Sequence, residues 1–197
     1  SAASDVYKRQ LLVALFMLLP IWILLAVAIP IAIWLGDRGP VFYQQKRAGT
    51  KGKAFTILKF RTMIPDAQLA GPAWTTKDDP RITTVGRVLR RTALDELPEL
   101  LSILKGDMSF VGPRALDVNE HRELEEKIEG FAIRLKVRPG LTGMAQVYDR
   151  HDNATDKLAY DISYLKNMSA ILDTKIMILS VFNTIAARWD QRTGKGL

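Results

Sequence analysis

Cysteine is absent from this sequence of 197 residues, and histidine occurs only twice. The lack of cysteine excludes disulfides, thiolate catalysis and Cys-ligated zinc or iron–sulfur sites. The two histidines, His121 and His151, lie far apart without a metal-ligand spacing, so a zinc site is not expected. The sequence also has no Walker A loop and no dinucleotide fingerprint. These absences leave the charged residues as the main candidates for chemistry.

Charge is missing from the stretch Leu11 to Leu35, although 25% of the whole chain is charged. As a straight helix this stretch would be roughly 37 Å long, slightly more than the hydrocarbon core of a bilayer. It is therefore predicted to lie in lipid as a retained anchor. Pro20 and Pro30 each remove a backbone donor and are expected to cut the run into pieces of about ten residues. Two paths remain open, a kinked transmembrane helix and a re-entrant helix that returns to the same face.

The flanks of the apolar stretch carry the positive charge. Lys8 and Arg9 favour a cytoplasmic N-terminal end, and the remainder of the chain is basic as well, with a net charge of +7 overall. A re-entrant path would satisfy both flanks. Residues 1–10 look like a cloning or sequencing-adapter translation and are expected to be non-native or disordered. Residues 36–197 are numerous enough for a core of their own and are predicted to form one domain.

The domain is predicted to be α+β and mainly helical. Two β-prone runs, Val41–Gln45 and Ala54–Arg61, flank a glycine-containing turn and indicate a hairpin. A short strand is predicted at Met144–Tyr148. Helices are predicted at Thr83–Arg91, Pro98–Lys105 and Glu120–Lys127 with an extension toward Leu135, and from Thr155 and Ile171 onward. The helix from Thr155 is amphipathic, and the more apolar helix from Ile171 to Ala187 is expected either to lie along a membrane surface or to pack into the core.

Two adjacent acids, Asp95 and Glu96, lie between clusters of arginine. Adjacent helical residues point about 100° apart, so separate roles are more natural than a shared proton. One interpretation is structural: either acid caps the helix that begins near Pro98, or Thr92 and Asp95 form a capping arrangement. The other is catalytic: Asp95, beside Mg²⁺ and arginines, attacks a phosphorus atom and forms an acyl phosphate.

Basic side chains suited to a phosphoryl group occur on both sides of these acids. Arginine binds phosphate oxygens bidentately, and two arginines stand beside rigid proline turns, in Gly112-Pro113-Arg114 and Arg138-Pro139-Gly140. A nucleic-acid partner is not expected, because the basic residues alternate with acids and the apolar anchor would be unexplained. The nearest alternative is a non-catalytic adaptor that binds anionic lipids, which would need the arginines but not the two acids.

Four sequence blocks carry a family resemblance. They are Lys59-Phe60-Arg61-Thr62-Met63, Leu94-Asp95-Glu96-Leu97, the run GDMSFVGPR that ends at Arg114, and the run VRPGLTG that begins at Val137. With the apolar N-terminal segment, they resemble the bacterial sugar transferases, the small monotopic phosphoglycosyl transferases that act on polyprenol phosphate. The resemblance implies transfer of a sugar 1-phosphate from a UDP-sugar to undecaprenyl phosphate, with release of UMP. It also implies a place at the cytoplasmic face of the bacterial inner membrane, at the first membrane step of glycoconjugate or exopolysaccharide assembly.

The resemblance further implies roles for individual residues. Asp95 would be the nucleophile and the Mg²⁺ ligand, and Glu96 its partner in proton transfer or orientation. The resemblance marks Lys59, Arg114 and Asp161 as active-site positions, and Arg138, Gln146 and Arg150 as residues that would face the nucleotide diphosphate. Arg61 and Arg90 join these substrate-binding candidates because they are basic residues near the two acids. The family also has a re-entrant helix broken at proline, here Pro20, and amphipathic interfacial helices. The sequence does not identify the sugar, and an interfacial surface leaves room for a homodimer.

Overall fold

The computed structural model describes residues 23, 25–67, 79–149 and 153–186. In chain order these contain helix α1 (residues 25–37), strands β1 (Phe42–Ala48) and β2 (Ala54–Phe60), helices α2 (Thr84–Thr92) and α3 (Leu100–Lys105), strand β3 (Ser109–Val111), helix α4 (Val118–Lys127), strand β4 (Gly140–Thr142), and helices α5 (Met144–Tyr148), α6 (Ala154–Asn167) and α7 (Ala170–Ile185). Short 3-10 helices lie at Thr50–Gly52, Leu94–Glu99 and Phe131–Lys136. The predicted mainly helical α+β class is confirmed.

Helix α1 is the described part of the apolar stretch, and it continues through Pro30. The prediction that Pro30 cuts the run is therefore wrong. The reason is tertiary packing: Leu25, Ile29 and Ile33, four residues apart, lie on one helical face against the first core, which includes Phe60 of β2. Burial of this face holds the helix together despite the lost donor.

The membrane path of the apolar stretch stays a prediction. Its other proline, Pro20, and residues 1–10 lie outside the described residues. Among the helices that the structure describes, none is both long enough and apolar enough to cross a membrane.

Strands β1 and β2 form the predicted hairpin. They pair antiparallel from Phe42 opposite Phe60 to Ala48 opposite Ala54, and the two phenylalanine rings stack with centroids 5.5 Å apart. This register places Lys59 one residue before the end of β2, where the strand packs against the 3-10 helix Leu94–Glu99.

A second sheet was not predicted. Strands β3 and β4 pair in parallel, with Ser109 opposite Gly140 and Val111 opposite Thr142. Their backbones approach so closely that a Cβ atom on Gly140 would stand 2.1 Å from the amide nitrogen of Gly112. The strand predicted at Met144–Tyr148 is wrong, because those residues form helix α5. Three-residue strands are too short to leave an alternating pattern in the sequence.

The helices around the two acids differ in detail from the prediction. Helix α3 begins at Leu100, and Pro98 lies inside the preceding 3-10 helix instead of in the first α-helical turn. Gly106, directly after α3, ends that helix in the left-handed conformation. The charged helix α4 ends at Lys127 and does not extend to Leu135, because the left-handed Gly130 (φ 76°) separates it from the next 3-10 helix.

Helices α6 and α7 occur where predicted and share a second core. Tyr164 of α6 and Ile176 of α7 are buried there against Val111 of β3. The opposite side of α7 is apolar and exposed, with Ile171 84% and Ile185 80% accessible. One face of α7 therefore packs into the domain, while the other is left uncovered by the described residues.

Candidate functional site

The two acids lie on a tight 3-10 helix that follows α2. Ala93 lies between α2 and this 3-10 helix. It adopts a left-handed conformation (φ 54°), which turns the chain sharply at the end of α2. Leu94 and Leu97 pack against the first core. Because a 3-10 helix repeats every three residues, these leucines share one face, and Asp95 and Glu96 lie on the remaining faces, half-buried.

Glu96 is held by two cations from different elements. Its Oε1 accepts a hydrogen bond of 2.7 Å from Lys59 Nζ and one of 3.3 Å from Arg114 Nη2. Lys59 Nζ also lies 3.0 Å from Oε1 of the buried Glu99. Burial alone would raise the pKa of Glu96, but Lys59 and Arg114 outweigh it and hold that pKa below its usual value. Glu96 is therefore an ionised carboxylate committed to these two partners.

Asp95 is in the opposite situation. Among the described residues, no other side chain forms a hydrogen bond or ion pair with its carboxylate. Burial, together with the neighbouring charge of Glu96, raises the pKa of Asp95 to about 6, and Lys59 and Arg90 only partly oppose this. At neutral pH its carboxylate is thus ionised, half-buried and available to a ligand.

The capping interpretation of these acids is not supported. The 3-10 helix and α3 have no side-chain cap at their N-termini. The Thr92 hydroxyl instead donates to the carbonyl oxygens of Val88 at 2.9 Å and Leu89 at 3.1 Å, within α2. Asp95 is therefore not explained as a structural cap.

The predicted basic residues divide between the acids and other partners. Arg90 lies close enough for its charge to favour ionised Asp95, while its Nε donates to Thr62 Oγ1 at 2.9 Å. Arg61 is buried and donates to both carboxylate oxygens of Asp37, the last residue of α1. Arg61 thus fastens α1 to the end of β2, and its predicted contact with substrate stays a prediction.

The residues expected to face the nucleotide are spread over the second sheet and α5. Arg138 is exposed, next to β4, and one of its Nη atoms would lie 3.9 Å from a Cβ atom on Gly106. Gln146 is buried, and its Nε2 donates to the Leu141 carbonyl at 3.0 Å. Arg150 lies outside the described residues. Their role in nucleotide binding stays a prediction.

Asp161 is buried on α6, and its partner is Arg134. It is 1% exposed and accepts hydrogen bonds from Arg134 Nε at 3.0 Å and from Arg134 Nη2, 2.9 Å away. Arg134 Nη2 also donates to the Arg114 carbonyl at 3.0 Å. Burial raises the pKa of Asp161 to about 6, against the opposing charge of Arg134. Asp161 therefore reaches the site through Arg134 and the backbone of Arg114.

Sequence reasoning missed Glu99 and Arg134. Glu99 follows Glu96 by three residues, the spacing that places both on one face of a 3-10 helix, but the sequence gives no sign that this segment is 3-10. Arg134 belongs to another short 3-10 helix, and its partner Asp161 is 27 residues away. No local pattern could have identified that pair.

No preformed metal cage is found in the part of the chain that the structure describes, since no three His or acidic residues there are grouped to hold an ion. Mg²⁺ does not require such a cage, because it is commonly bound by one or two carboxylates together with substrate phosphates and water. Asp95, as the uncommitted carboxylate, has the donor type that this mode of binding needs.

Comparison with known proteins identifies the family. The family model described as bacterial sugar transferase matches residues 4–187. An exopolysaccharide production protein, PSS, of Rhizobium leguminosarum bv. phaseoli is 39% identical over 204 residues, covering 98% of this chain and 96% of that protein. The exopolysaccharide production protein ExoY of Sinorhizobium fredii is 41% identical over 167 residues, covering 77% and 71%.

Longer relatives match over part of their length. The UDP-glucose:undecaprenyl-phosphate glucose-1-phosphate transferase of Escherichia coli is 39% identical over 160 residues, which are 78% of this chain and 34% of that protein. The chain thus spans about a third of the length of such relatives. Together with the match to the family model, these similarities show that this chain belongs to the bacterial sugar transferase family.

Proposed function

We propose that this protein transfers a sugar 1-phosphate from a UDP-sugar to undecaprenyl phosphate, giving undecaprenyl diphosphate sugar and UMP. UDP-glucose is the first donor to test, because the names of several relatives specify it. The reaction is the first membrane step of a glycoconjugate or exopolysaccharide pathway. Family membership supports the class of reaction, and the geometry around Asp95 supports the route.

The observation that carries the proposal is the contrast between two adjacent carboxylates. Glu96 is neutralised by Lys59 and Arg114, whereas Asp95 has no such partner among the described residues. A half-buried carboxylate that is ionised but unpaired is unfavourable unless it serves a ligand. An adaptor for anionic lipids would have no use for it.

In the proposed first step, a carboxylate oxygen of Asp95 attacks the β-phosphorus of the UDP-sugar. The new bond joins that oxygen to phosphorus, and the bond between the β-phosphorus and the bridging oxygen breaks, so UMP leaves with the electron pair. The product is an aspartyl phosphosugar. Arg114, which donates to Glu96, and Arg90, whose charge acts on Asp95, are the arginine donors available to neutralise the phosphoryl oxygens.

In the second step, a phosphate oxygen of undecaprenyl phosphate attacks the same phosphorus. The acyl phosphate bond breaks, the Asp95 carboxylate is regenerated, and the diphosphate-linked sugar leaves. Glu96 keeps Lys59 and Arg114 fixed through both steps, because its pKa is too low for it to take up a proton at neutral pH. We assign Glu96 to orientation on this basis.

Mg²⁺ is proposed as the cofactor. Asp95 would hold it together with the diphosphate of the donor, in agreement with the uncommitted oxygens of this side chain and with the absence of a preformed cage in the described ranges. When bound, the ion would withdraw negative charge from the diphosphate and so assist departure of UMP.

A position at the cytoplasmic face of the inner membrane is part of the proposal. Helix α1 leaves apolar side chains uncovered on the face opposite its packed one, and α7 does the same. The exposed residues are Val27, Ile31, Trp34 and Leu35 on α1, and Ile171, Ile178, Val181 and Ile185 on α7. These two faces suit contact with lipid, where a lipid phosphate and a soluble nucleotide sugar can meet. A homodimer stays a prediction.

The test is an assay for UMP release. Purified protein in detergent is given Mg²⁺, undecaprenyl phosphate and a panel of UDP-sugars that begins with UDP-glucose. We expect UMP release with at least one donor, dependent on both Mg²⁺ and the lipid phosphate for multiple turnovers. If no donor yields UMP while the protein binds vesicles of anionic lipid, the adaptor function would replace this proposal.

A further inference from the structure

We propose that the buried pair Arg134–Asp161 is a positioning device for Arg114 and that Asp161 does not contact substrate. The pair fixes the backbone that carries Arg114, so that the Arg114 guanidinium is held at Glu96 beside the reacting phosphate. This inference rests on the proposed function, since the importance of Arg114 depends on phosphoryl transfer. It changes the role of Asp161 from a substrate ligand to a support for another side chain.

The segment Pro113–Leu116 is irregular, yet each of its carbonyl groups is bound. Two bonds come from backbone amides: Gly140 donates to the Pro113 carbonyl at 3.0 Å, and Ala48 donates to the Leu116 carbonyl at 2.9 Å. Loops in proteins commonly leave such groups to water. A segment without regular secondary structure that is bound at four consecutive carbonyls has little freedom to shift.

The two central carbonyls are bound by guanidinium groups. Arg134 Nη2 donates to the Arg114 carbonyl at 3.0 Å, and Arg47 Nη1 donates to the Ala115 carbonyl at 3.0 Å. Each guanidinium is itself held by another side chain. Asp161 of α6 orients Arg134, and Gln45 accepts a hydrogen bond of 2.6 Å from Arg47 Nη2.

The pair Arg134–Asp161 is buried, whereas the Arg114 side chain is accessible to a substrate. The Arg134 side chain is 4% exposed and that of Asp161 is 2% exposed, whereas the Arg114 side chain is 45% exposed. Both carboxylate contacts of Arg134 are made by the single oxygen Oδ2. A substrate phosphate could therefore reach Arg114 without displacing the pair. The fixed backbone reduces the freedom that Arg114 loses on binding an anion.

The decisive test separates positioning from stability. Replacing a buried ion pair by apolar side chains of similar volume is often neutral for stability, whereas removing one partner is not. We expect the double variant Arg134→Met/Asp161→Leu to unfold at a temperature close to wild type. Its kcat should nevertheless fall about 100-fold, because the bond to the Arg114 carbonyl is gone and the guanidinium is misplaced. A wild-type kcat in this stable variant would overturn the inference.

A double-mutant cycle tests whether Asp161 acts through Arg114. The variants are Asp161→Asn, Arg114→Ala and their combination, with kcat and KM measured for the UDP-sugar. We expect Asp161→Asn to lower kcat in the wild-type background and to have almost no further effect once Arg114 is alanine. If the two losses multiply, Asp161 acts independently of Arg114, and the inference is wrong.

Tyr164→Phe is the matched control. Tyr164 is also buried on α6, one turn after Asp161, and its hydroxyl donates to Asp173 Oδ1 at 2.9 Å and to the Val111 carbonyl at 3.3 Å. It has no bond to the segment Pro113–Leu116. We expect this variant to lose some thermal stability while kcat remains close to wild type.

Hydrogen exchange gives a readout that does not depend on activity. In a peptide covering residues 112–118, we expect faster amide exchange in Arg134→Met/Asp161→Leu than in wild type and no change in Tyr164→Phe. Unchanged exchange in the first variant would overturn the inference even if the enzyme is active. If wild-type protein releases no UMP from any donor, the proposed function fails, and exchange alone then decides whether the pair fixes this segment.

Discussion

The half-buried acidic turn Leu94–Glu99 and the buried pair Arg134–Asp161 use the same charged groups in opposite ways. In the pair, one carboxylate meets one guanidinium, and both are almost inaccessible. On the turn, Glu96 pairs with both Lys59 and Arg114 and Glu99 pairs with Lys59, whereas Asp95 has neither cation as a direct partner. A matched pair fixes structure, whereas an unmatched carboxylate leaves a place for a ligand. This difference underlies the assignment of chemistry to Asp95.

The largest effect is expected from removing the unmatched charge itself. Asp95→Asn keeps the shape of the side chain but removes the nucleophilic oxygen anion. We expect UMP release to fall by at least about 10⁴-fold, as is typical when a nucleophile is lost. The assay is steady-state UMP release with saturating donor, and circular dichroism checks the fold. Glu126→Gln, which removes one charge from an exposed position on α4, should leave the rate unchanged. A substantial rate in Asp95→Asn would mean that the unmatched carboxylate is not the reacting group.

A smaller effect is expected from removing Lys59, the cation that pairs with Glu96 and Glu99 on the acidic turn. Lys59→Met leaves Glu96 without its nearest cation and Glu99 without the Lys59 ion pair. We expect a loss of about 3 kcal/mol in the free energy of unfolding, measured by urea denaturation, because a partly buried charge is left uncompensated. Adding Glu99→Gln to this variant should restore part of the loss. If the double variant is no more stable than Lys59→Met, the loss of stability in Lys59→Met does not come from an uncompensated charge on Glu99.

The smallest effect concerns stability against pH. In the metal-free protein, burial and the charge of Glu96 raise the pKa of Asp95 to about 6, above the ordinary value of 3.8. The folded state therefore holds this proton more tightly than the unfolded chain. The stability that the folded state gains by binding this proton is fully present below about pH 4 and is lost as the pH rises through about 6. Asp95→Asn should then be more stable than wild type at pH 7.5, by about 1 to 3 kcal/mol, and the gain should vanish near pH 4. Urea denaturation at the two pH values measures this. An equal difference at both would contradict the assigned pKa.

The elements with long sequence patterns were predicted well. The hairpin, α2, α6 and α7 each have a hydrophobic repeat or a clear boundary residue, and all occur near the expected positions. The second sheet was missed because its strands have three residues each and depend on a close approach between Gly112 and Gly140. The predicted break at Pro30 was wrong because packing of Ile29 and Ile33 in the first core outweighs the tendency of proline to interrupt a helix.

The sequence predicted the residue types at the candidate site better than it predicted which of these residues pair with each other. The adjacency of Asp95 and Glu96 and the nearby arginines were visible in the sequence. The sequence could not show that Glu96, and not Asp95, is the neutralised acid. Its partner Lys59 comes from a strand 37 residues away, and Arg114 comes from a loop 18 residues away. Likewise, Arg61 was marked by its residue type and Asp161 by the family resemblance, and neither signal identified their partners in the fold, Asp37 and Arg134.

The central claim is that an Asp95 oxygen becomes bonded to phosphorus during turnover. It is tested most directly by incubating the protein with a UDP-sugar labelled at the β-phosphate, without acceptor lipid, then quenching, digesting and sequencing the labelled peptide by mass spectrometry. We expect one equivalent of label or less, located on Asp95, absent from Asp95→Asn, and discharged when undecaprenyl phosphate is added. Label on another residue, or turnover with no labelled protein at any time, would contradict the account.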